Sequence, residues 1–102
     1  MEIRMITKQS SAVPGRILVT FELPASIWAE SVHLVGKFDS WNRSSHPFRQ
    51  ERDGVWRIVL EMDRGTELRF RYLVDGKDWQ NDSSADRHTP NPYSGVDSVV
   101  IC

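Results

Sequence analysis

Two segments of this chain alternate apolar and polar side chains with a period of two. In residues 16–23 and 67–75 nearly every second residue is large and apolar. These apolar residues are Ile17, Val19, Phe21, Leu23, Leu68, Phe70, Tyr72 and Val74. Successive side chains of a strand point to opposite faces, so the pattern predicts strands with one buried and one solvated face. Residues 55–62 repeat it, with Trp56 on the apolar side.

Shorter apolar runs predict further strands at residues 31–36 and 97–102. Within residues 1–11, a strand at 2–7 and a frayed tail are both compatible with the sequence. Helical periodicity is scarce, and the one helical turn we expect lies around residues 25–30. Six or seven short strands at regular spacing predict an all-β fold, an antiparallel β-sandwich. A length of 102 residues fits one domain.

The connections between these strands have the composition of turns and loops. "RDG" (52–54) and "DRG" (63–65) predict tight turns between adjacent strands, and "VDGKDW" (74–79) predicts an Asp-Gly hairpin. Residues 81–95 are rich in Asn, Asp, Ser and Pro and predict a long irregular loop, a kind that often carries function. "DSSAD" (82–86) alternates oxygen-bearing side chains but lacks the glycine and distal glutamate of a calcium loop, which favours a solvated turn.

Charge and composition exclude several classes of protein. With 13 basic and 14 acidic residues the net charge is −1, which argues against a general nucleic-acid binder but is compatible with a local basic patch. No run of 18 apolar residues predicts a membrane span, and the polar N-terminal stretch does not resemble a secretory signal. The single cysteine, Cys102, precludes an internal disulfide. We therefore expect a cytoplasmic protein.

The residues that usually carry catalysis do not form a recognisable constellation. His33, His46 and His88 have no spacing typical of a zinc site, and nothing near Cys102 in sequence would activate its thiol. Aspartates between residues 39 and 86 could pair as in a glycosidase, but so short a chain has no residues to wall a catalytic cleft. We expect neither enzymatic activity nor a cofactor or metal.

Three stretches together resemble one family: "VHLVGKFDSWN" (32–42), "FRYLVDGKDWQND" (70–82) and "NPYSGVDSVV" (91–100). They are similar to the family-48 carbohydrate-binding module, an early-set immunoglobulin-like β-sandwich found at the front of isoamylases and branching enzymes of glycoside hydrolase family 13. The β subunit of AMP-activated protein kinase carries its glycogen-binding form. The likeness spans residues 16–102 and is nearest to short bacterial proteins made of this module alone. It implies a sandwich of about seven strands that binds α-1,4-glucans without catalysis.

The resemblance implies a set of sugar-binding residues. Trp41 and Trp79 match the tryptophans that stack on the flat C–H faces of glucose rings. Arg71 stands where the kinase domain has a lysine, and Asp97 where the family usually has an asparagine that binds vicinal hydroxyls. Asn81 is expected to add a polar contact. A packing role for each tryptophan, and a solvated strand face for Arg71, are the structural alternatives.

Expectations for four further residues come from their sequence context. Tyr93 offers another stacking surface or closes its loop as a buried aromatic. "GKFDSW" (36–41) departs from the common "GDFNNW", and we expect its Lys37 to affect loop capping more than sugar contact. Trp56 is expected in the core, and Trp28 as a cap on the end of the sandwich.

A second function is compatible with the same fold. An early-set sandwich can serve as a protein-interaction module that docks on a glucan-metabolising enzyme, or on itself, without binding sugar. The two hypotheses differ in their requirement for Trp41. Glucan binding needs its indole, whereas docking does not. The expected partners are thus an α-glucan, an enzyme or a second copy, and neither nucleic acid nor membrane.

Overall fold

Nine strands lie within residues 5–91 and 95–102, the part of the chain that the computed structural model describes, the side chain of Asp39 excepted. They are β1 (Met5–Ser10), β2 (Arg16–Leu23), β3 (Val32–Gly36), β4 (Arg49–Gln50), β5 (Trp56–Asp63), β6 (Glu67–Val74), β7 (Asp78–Gln80), β8 (Arg87–Pro90) and β9 (Val96–Ile101). A 3₁₀ turn, Lys37–Asp39, follows β3. All strand pairs are antiparallel, and the predicted all-β, immunoglobulin-like sandwich is confirmed.

The strands form two sheets. The four-stranded sheet has the order β1-β2-β5-β4, and the five-stranded sheet has the order β3-β6-β9-β8 with β7 also paired to β6. Strand β6 is central: β3 pairs along one edge, and β9 and β7 share the other edge, β9 at residues 67–70 and β7 at 72–74. Side chains that leave β6 away from the core are therefore surrounded by three neighbouring strands.

The core between the sheets is built from the alternating apolar residues. The inward side chains of β2 and β6 are buried, as their period of two predicts. Aromatic rings cross the interface: the Phe21 and Phe70 centroids are 5.0 Å apart, and Phe48 and Tyr72 are 5.6 Å apart, both edge to face. Each such side chain contributes roughly 1.5–3 kcal/mol through burial. Trp56 is in this core, as predicted, with 4% of its surface exposed.

The five-stranded sheet also buries residues on its outer face, the face turned away from the four-stranded sheet. Val35, Leu73 and Val99 are at most 2% exposed, yet they lie outside the core cluster between the sheets. The register puts Val35 opposite Arg71 and Leu73 opposite Trp79, and residues directly opposite each other share a face. The outer face therefore combines buried aliphatic side chains with Arg71 and Trp79.

One predicted turn joins the two strands that we expected, but these strands lie in different sheets. Residues 63–65 connect β5 to β6, which belong to different sheets, so the prediction of adjacent strands is wrong there. A tight turn has the same local composition whether it links neighbours or crosses between sheets. Residues 52–54 do connect adjacent strands, β4 and β5. The hairpin at Asp75-Gly76 is present, with φ of 53° and 70°, the left-handed pair that a primed turn requires.

The stretch 81–95 is more ordered than its composition indicates. It contains β8, which pairs with β9, so the prediction of a wholly irregular loop is wrong. The predicted solvated turn is present, with Ser83, Ser84 and Asp86 exposed, but Asp82 at its start is fully buried. Tyr72 Oη donates to its carboxylate at 2.6 Å, and the Ser84 backbone N–H donates at 2.8 Å. These partners satisfy a charge that the local sequence alone would place in solvent.

The structure differs from the sequence predictions near the N-terminus and around Trp28. A strand near the N-terminus covers Met5–Ser10, so it includes residues 5–7 of the predicted strand 2–7 and continues beyond them; residues 1–4 lie outside the described part. Trp28 does not cap the sandwich, since 94% of its surface is exposed, and residues 25–30 contain a turn but no helix. Among the described residues, none forms a helix long and apolar enough to cross a membrane.

Candidate functional site

A cavity of about 420 Å³ opens on the outer face of the five-stranded sheet. Its described lining residues are Lys37, Trp41, Arg43, Arg69, Arg71, Trp79, Asn91 and Asp97. They come from the loop that follows β3, from β6 and β7, and from the chain that leads into and begins β9. The volume falls in the range usual for small-molecule sites.

Trp41 reaches the cavity because the backbone reverses directly after β3. Ser40 and Trp41 have φ of 58° and 60°, in the left-handed region, and the Trp41 N–H donates to the Gly36 carbonyl at 2.8 Å. A Cβ at Gly36 would collide with the Arg69 carbonyl oxygen, so only glycine lets the loop start so close to β6. The indole of Trp41 is half-buried rather than free in solvent.

Trp79 and Arg71 are placed by the β6–β7 hairpin. Trp79 pairs with Leu73, two residues after Arg71, so all three share the outer face. The Arg71 Cζ lies 4.8 Å from the Trp79 ring centroid and 5.7 Å from that of Trp41. Arg43 Cζ lies 5.5 Å from the Trp79 ring. All three distances are within the range of cation–π attraction, which holds the cations against the indoles.

Asp97 lies beneath these cations and is 2% exposed. Arg69 Nη2 donates to its Oδ2 at 3.0 Å, and Asn91 Nδ2 donates to Oδ1 at 3.1 Å. Arg71 Nε is 3.3 Å from Oδ1, but its N–H makes no hydrogen bond within the described residues, so this contact is an ion pair without aligned geometry. A carboxylate so occupied holds the guanidinium groups in position and has little capacity left for a ligand.

The arrangement offers a ligand both an apolar platform and hydrogen-bond donors. Indoles stack on flat apolar faces, and a guanidinium provides planar donors beside them. Within residues 5–91 and 95–102 no hydrogen bond engages the Nη atoms of Arg71, so those donors remain available. A pyranose ring, which has C–H faces and a rim of hydroxyls, matches both features.

The structure therefore gathers four of the residues expected from the sequence: Trp41, Trp79, Arg71 and Asp97. Asn81 is not among the lining residues. Its Nδ2 donates to the Val96 carbonyl at 2.8 Å and its Oδ1 accepts from Ser98 Oγ at 2.8 Å, which ties the chain after β7 to β9. A sugar contact by Asn81 stays a prediction.

Tyr93, the remaining residue expected at the site, lies outside the described part of the chain. Its two interpretations, a stacking surface and a buried aromatic, both stay predictions.

Four lining residues were missed by the sequence reasoning. Arg69 had a signal, because it precedes Arg71 by two positions in an alternating strand and must share its face. Lys37 was expected to affect loop capping, but it lines the cavity, and no side-chain hydrogen bond caps the 3₁₀ turn. Arg43 and Asn91 had no local signal, since only the packing of their loops brings them to β6.

The described residues contain no candidate metal site. Within 5–91 and 95–102, no group of three His, Cys, Asp or Glu side chains is arranged to hold an ion. The one carboxylate among the described lining residues, Asp97, is paired with arginines.

Comparison with known proteins identifies the family to which the chain belongs. The family model described as carbohydrate-binding module 48 (isoamylase N-terminal domain) matches residues 19–94. A 1,4-alpha-glucan branching enzyme GlgB 2 from Xanthomonas campestris pv. campestris is 37% identical over 59 residues, 52% of this chain. A GlgB from Aquifex aeolicus is 30% identical over 64 residues, 58% of the chain, and one from Novosphingobium aromaticivorans is 35% identical over 57 residues, 52% of the chain.

These relatives are far longer proteins. The matched stretch amounts to 8% of the Xanthomonas and Novosphingobium enzymes and 10% of the Aquifex enzyme. The likeness therefore concerns a short stretch of each enzyme, whereas the family model covers most of the present chain. The chain belongs to the carbohydrate-binding module 48 family, the family of the isoamylase N-terminal domain.

Proposed function

We propose that this protein binds α-1,4-glucans, such as glycogen, starch or maltooligosaccharides, without catalysing a reaction on them. The observation that carries the proposal is the cavity in which Arg71 lies within 5.7 Å of both Trp41 and Trp79. Membership of a carbohydrate-binding family supports it, as do relatives whose names specify 1,4-alpha-glucan.

In this proposal the indoles supply stacking contacts and the guanidinium groups supply hydrogen bonds. Glucose rings stack on Trp41 or Trp79, and Arg71 donates hydrogen bonds from its Nη atoms to hydroxyls at the ring edge. Asp97 fixes Arg71 before the ligand arrives, which reduces the entropy lost on binding. An open site of this kind buries little ligand, so we expect dissociation constants of about micromolar or weaker, with polymers binding better through multiple contacts.

The charge arrangement favours binding over catalysis. Glycoside hydrolysis generally uses two carboxylates, one as acid and one as base or nucleophile. Among the described lining residues Asp97 is the one carboxylate, and it is 2% exposed and paired with Arg69 and Arg71. We therefore propose no catalytic step at this cavity.

The test is affinity electrophoresis in gels that contain glycogen, with calorimetric titration of maltoheptaose. Trp41→Ala and Trp79→Ala should each weaken binding about tenfold, equivalent to about 1.4 kcal/mol of lost stacking. Trp28→Ala is the matched control, because it removes an indole that is 94% exposed and lies outside this cavity. Circular dichroism checks that each variant remains folded.

Two results would contradict the proposal. The first is a folded wild-type protein that migrates identically with and without glycogen and gives no heat with maltoheptaose. The second is retention that survives Trp41→Ala and Trp79→Ala but is lost in Trp28→Ala, which would place binding at another surface.

A second candidate function is docking on a glucan-metabolising enzyme or on a second copy of the chain. The observation that favours it is Trp28, whose exposed indole borders a separate cavity of about 440 Å³ lined partly by Ala25, Ile27 and Ala29. Exposed tryptophans are frequent anchors of protein interfaces. Analytical ultracentrifugation of the wild type and Trp28→Ala tests self-association. A concentration-independent monomer in both would exclude the second copy as partner.

A further inference from the structure

The cavity is much more positively charged than the protein as a whole. Its described lining residues include Lys37, Arg43, Arg69 and Arg71 against Asp97, four cations minus one anion, or a net charge of +3. The complete chain has a net charge of −1. The described lining of this cavity therefore carries a local excess of positive charge, whose field attracts an anion.

The cations converge on the stacking surface. Arg71 and Arg43 lie 4.8 and 5.5 Å from the Trp79 ring centroid, measured from their Cζ atoms. Lys37 and Arg43 are both exposed and belong to the loop that also carries Trp41. A sugar ring stacked on Trp79 would thus have cationic donors beside its exocyclic substituents.

An uncharged glucan does not account for this charge. Neutral hydroxyls can be bound by amides or by a single cation, whereas close cations repel one another unless an anion offsets them. Among the described lining residues Asp97 offsets only one of the four, and its carboxylate is buried beneath them. A phosphate monoester carries about −1.5 to −2 charge at pH 7 and three acceptor oxygens, which suits a surplus of three cations that includes guanidinium groups.

We propose that the preferred ligand of this cavity is an α-glucan that carries a phosphate monoester near the stacked ring. Arg43, Lys37 and the Nη atoms of Arg71 bind the phosphate, while the indoles bind the sugar. The inference rests on the proposed glucan binding and specifies its ligand. Single-stranded nucleic acid combines stacking with charge as well, but it requires a basic groove several nucleotides long. One cavity of about 420 Å³ on a chain of net charge −1 favours a single phosphate.

The test is calorimetric titration with five ligands at low and at physiological ionic strength. They are maltoheptaose, a maltodextrin phosphorylated on its 6-hydroxyls, glucose 6-phosphate, inorganic phosphate and a short oligothymidylate. We expect the phosphorylated maltodextrin to bind about tenfold more tightly than maltoheptaose at low ionic strength, with a smaller advantage as salt screens the charges. Glucose 6-phosphate and phosphate should bind far more weakly, since they lack the stacked chain.

Charge-neutralising variants make the test specific. Lys37→Gln and Arg43→Gln alter exposed side chains and should abolish most of the preference, measured in each variant as the affinity for the phosphorylated maltodextrin divided by the affinity for maltoheptaose. Arg52→Gln removes the same charge from the exposed turn between β4 and β5, in the other sheet, and should leave the preference unchanged.

The outcomes separate this inference from the proposed function. Equal affinity for the phosphorylated and neutral maltodextrins would overturn the inference and leave glucan binding intact. Failure of both to bind would overturn both. Glucose 6-phosphate, inorganic phosphate or oligothymidylate binding as tightly as the phosphorylated maltodextrin would overturn the inference, and would assign the cavity to a small phosphate compound or to nucleic acid.

Discussion

Replacing Asp97 with asparagine tests whether one buried carboxylate organises the binding cavity. The side chain is 2% exposed and contacts Arg69 at 3.0 Å, Arg71 at 3.3 Å and Asn91 at 3.1 Å. Asp97→Asn preserves the shape but removes the charge and presents an amide N–H₂ to neighbours that are themselves donors. We expect the variant to fold with reduced stability and with Arg71 less firmly placed.

The free energy of unfolding lost in Asp97→Asn is the sum of contributions from the contacts of Asp97. Replacing the carboxylate that accepts from Arg69 with a neutral amide oxygen removes the ion pair and weakens the hydrogen bond, at a cost of about 1–1.5 kcal/mol. The Arg71 contact lacks an aligned N–H and its side chain is 25% exposed, so it adds up to about 1 kcal/mol. Removing a buried charge also relieves its desolvation, which offsets part of the loss. The net decrease is about 2 kcal/mol, or a fall in Tm of roughly 8–16 °C for a chain of this size.

Urea denaturation of the wild type and Asp97→Asn measures this loss of stability, with Glu67→Gln as the control. Glu67 on β6 pairs with Arg87 at 2.6 Å, but both side chains are about half exposed (47% and 51%), so Glu67→Gln should cost less than about 1 kcal/mol. A loss in Asp97→Asn no larger than that of Glu67→Gln would refute the reasoning. Unchanged maltoheptaose affinity in a destabilised Asp97→Asn variant would show that Asp97 does not position Arg71 for binding.

Two further predictions concern the scaffold. Gly36→Ala should lower the free energy of unfolding by about 1–3 kcal/mol, because its Cβ would collide with the Arg69 carbonyl and push β3 from β6; a circular dichroism melt equal to that of the wild type would contradict this. At Asp86 the hydrogen bond from Lys8, followed by that from the backbone N–H of Ile101, holds the pKa below its usual value. The stability this provides is present above the ordinary carboxyl pKa and is lost as pH falls below about 4, so Asp86→Asn should flatten the acid limb of a stability–pH curve measured by urea denaturation. Identical acid limbs for both proteins would show that Asp86 makes no contribution.

The alternation of side chains was sufficient to predict the sandwich and its inner faces. The period of two is a local property of a strand, so Phe21, Phe70 and Tyr72 could be assigned to the core without knowing their neighbours. The Asp-Gly hairpin was equally local, since both residues must adopt positive φ. The order of strands in a sheet depends on contacts between distant segments, which local patterns do not report. For that reason the sequence could not show that the turn at residues 63–65 joins strands of different sheets.

The tryptophans show where local information ends. Trp28 and Trp41 both follow a strand and stand among polar or small residues, yet one is 94% exposed and the other is half-buried in the cavity. The resemblance to a known family identified Trp41 and Trp79, whereas the sequence pattern around Trp28 predicted a packing role that it does not have. Asn81 shows the converse, because its hydrogen bonds to Val96 and Ser98 depend on a strand fifteen or more residues away.

The sequence by itself determined the fold class and the inward face of each long strand, and its resemblance to a known family pointed to the two tryptophans beside Arg71. Tertiary structure alone decided that Lys37 and Arg43 join Arg71 around the same cavity, with Asp97 buried beneath. Composition reports a nearly neutral chain because charges add without regard to position. Electrostatic attraction depends on distance, and only the packing of the loop after β3 against β6 brings these cations close enough for their fields to combine.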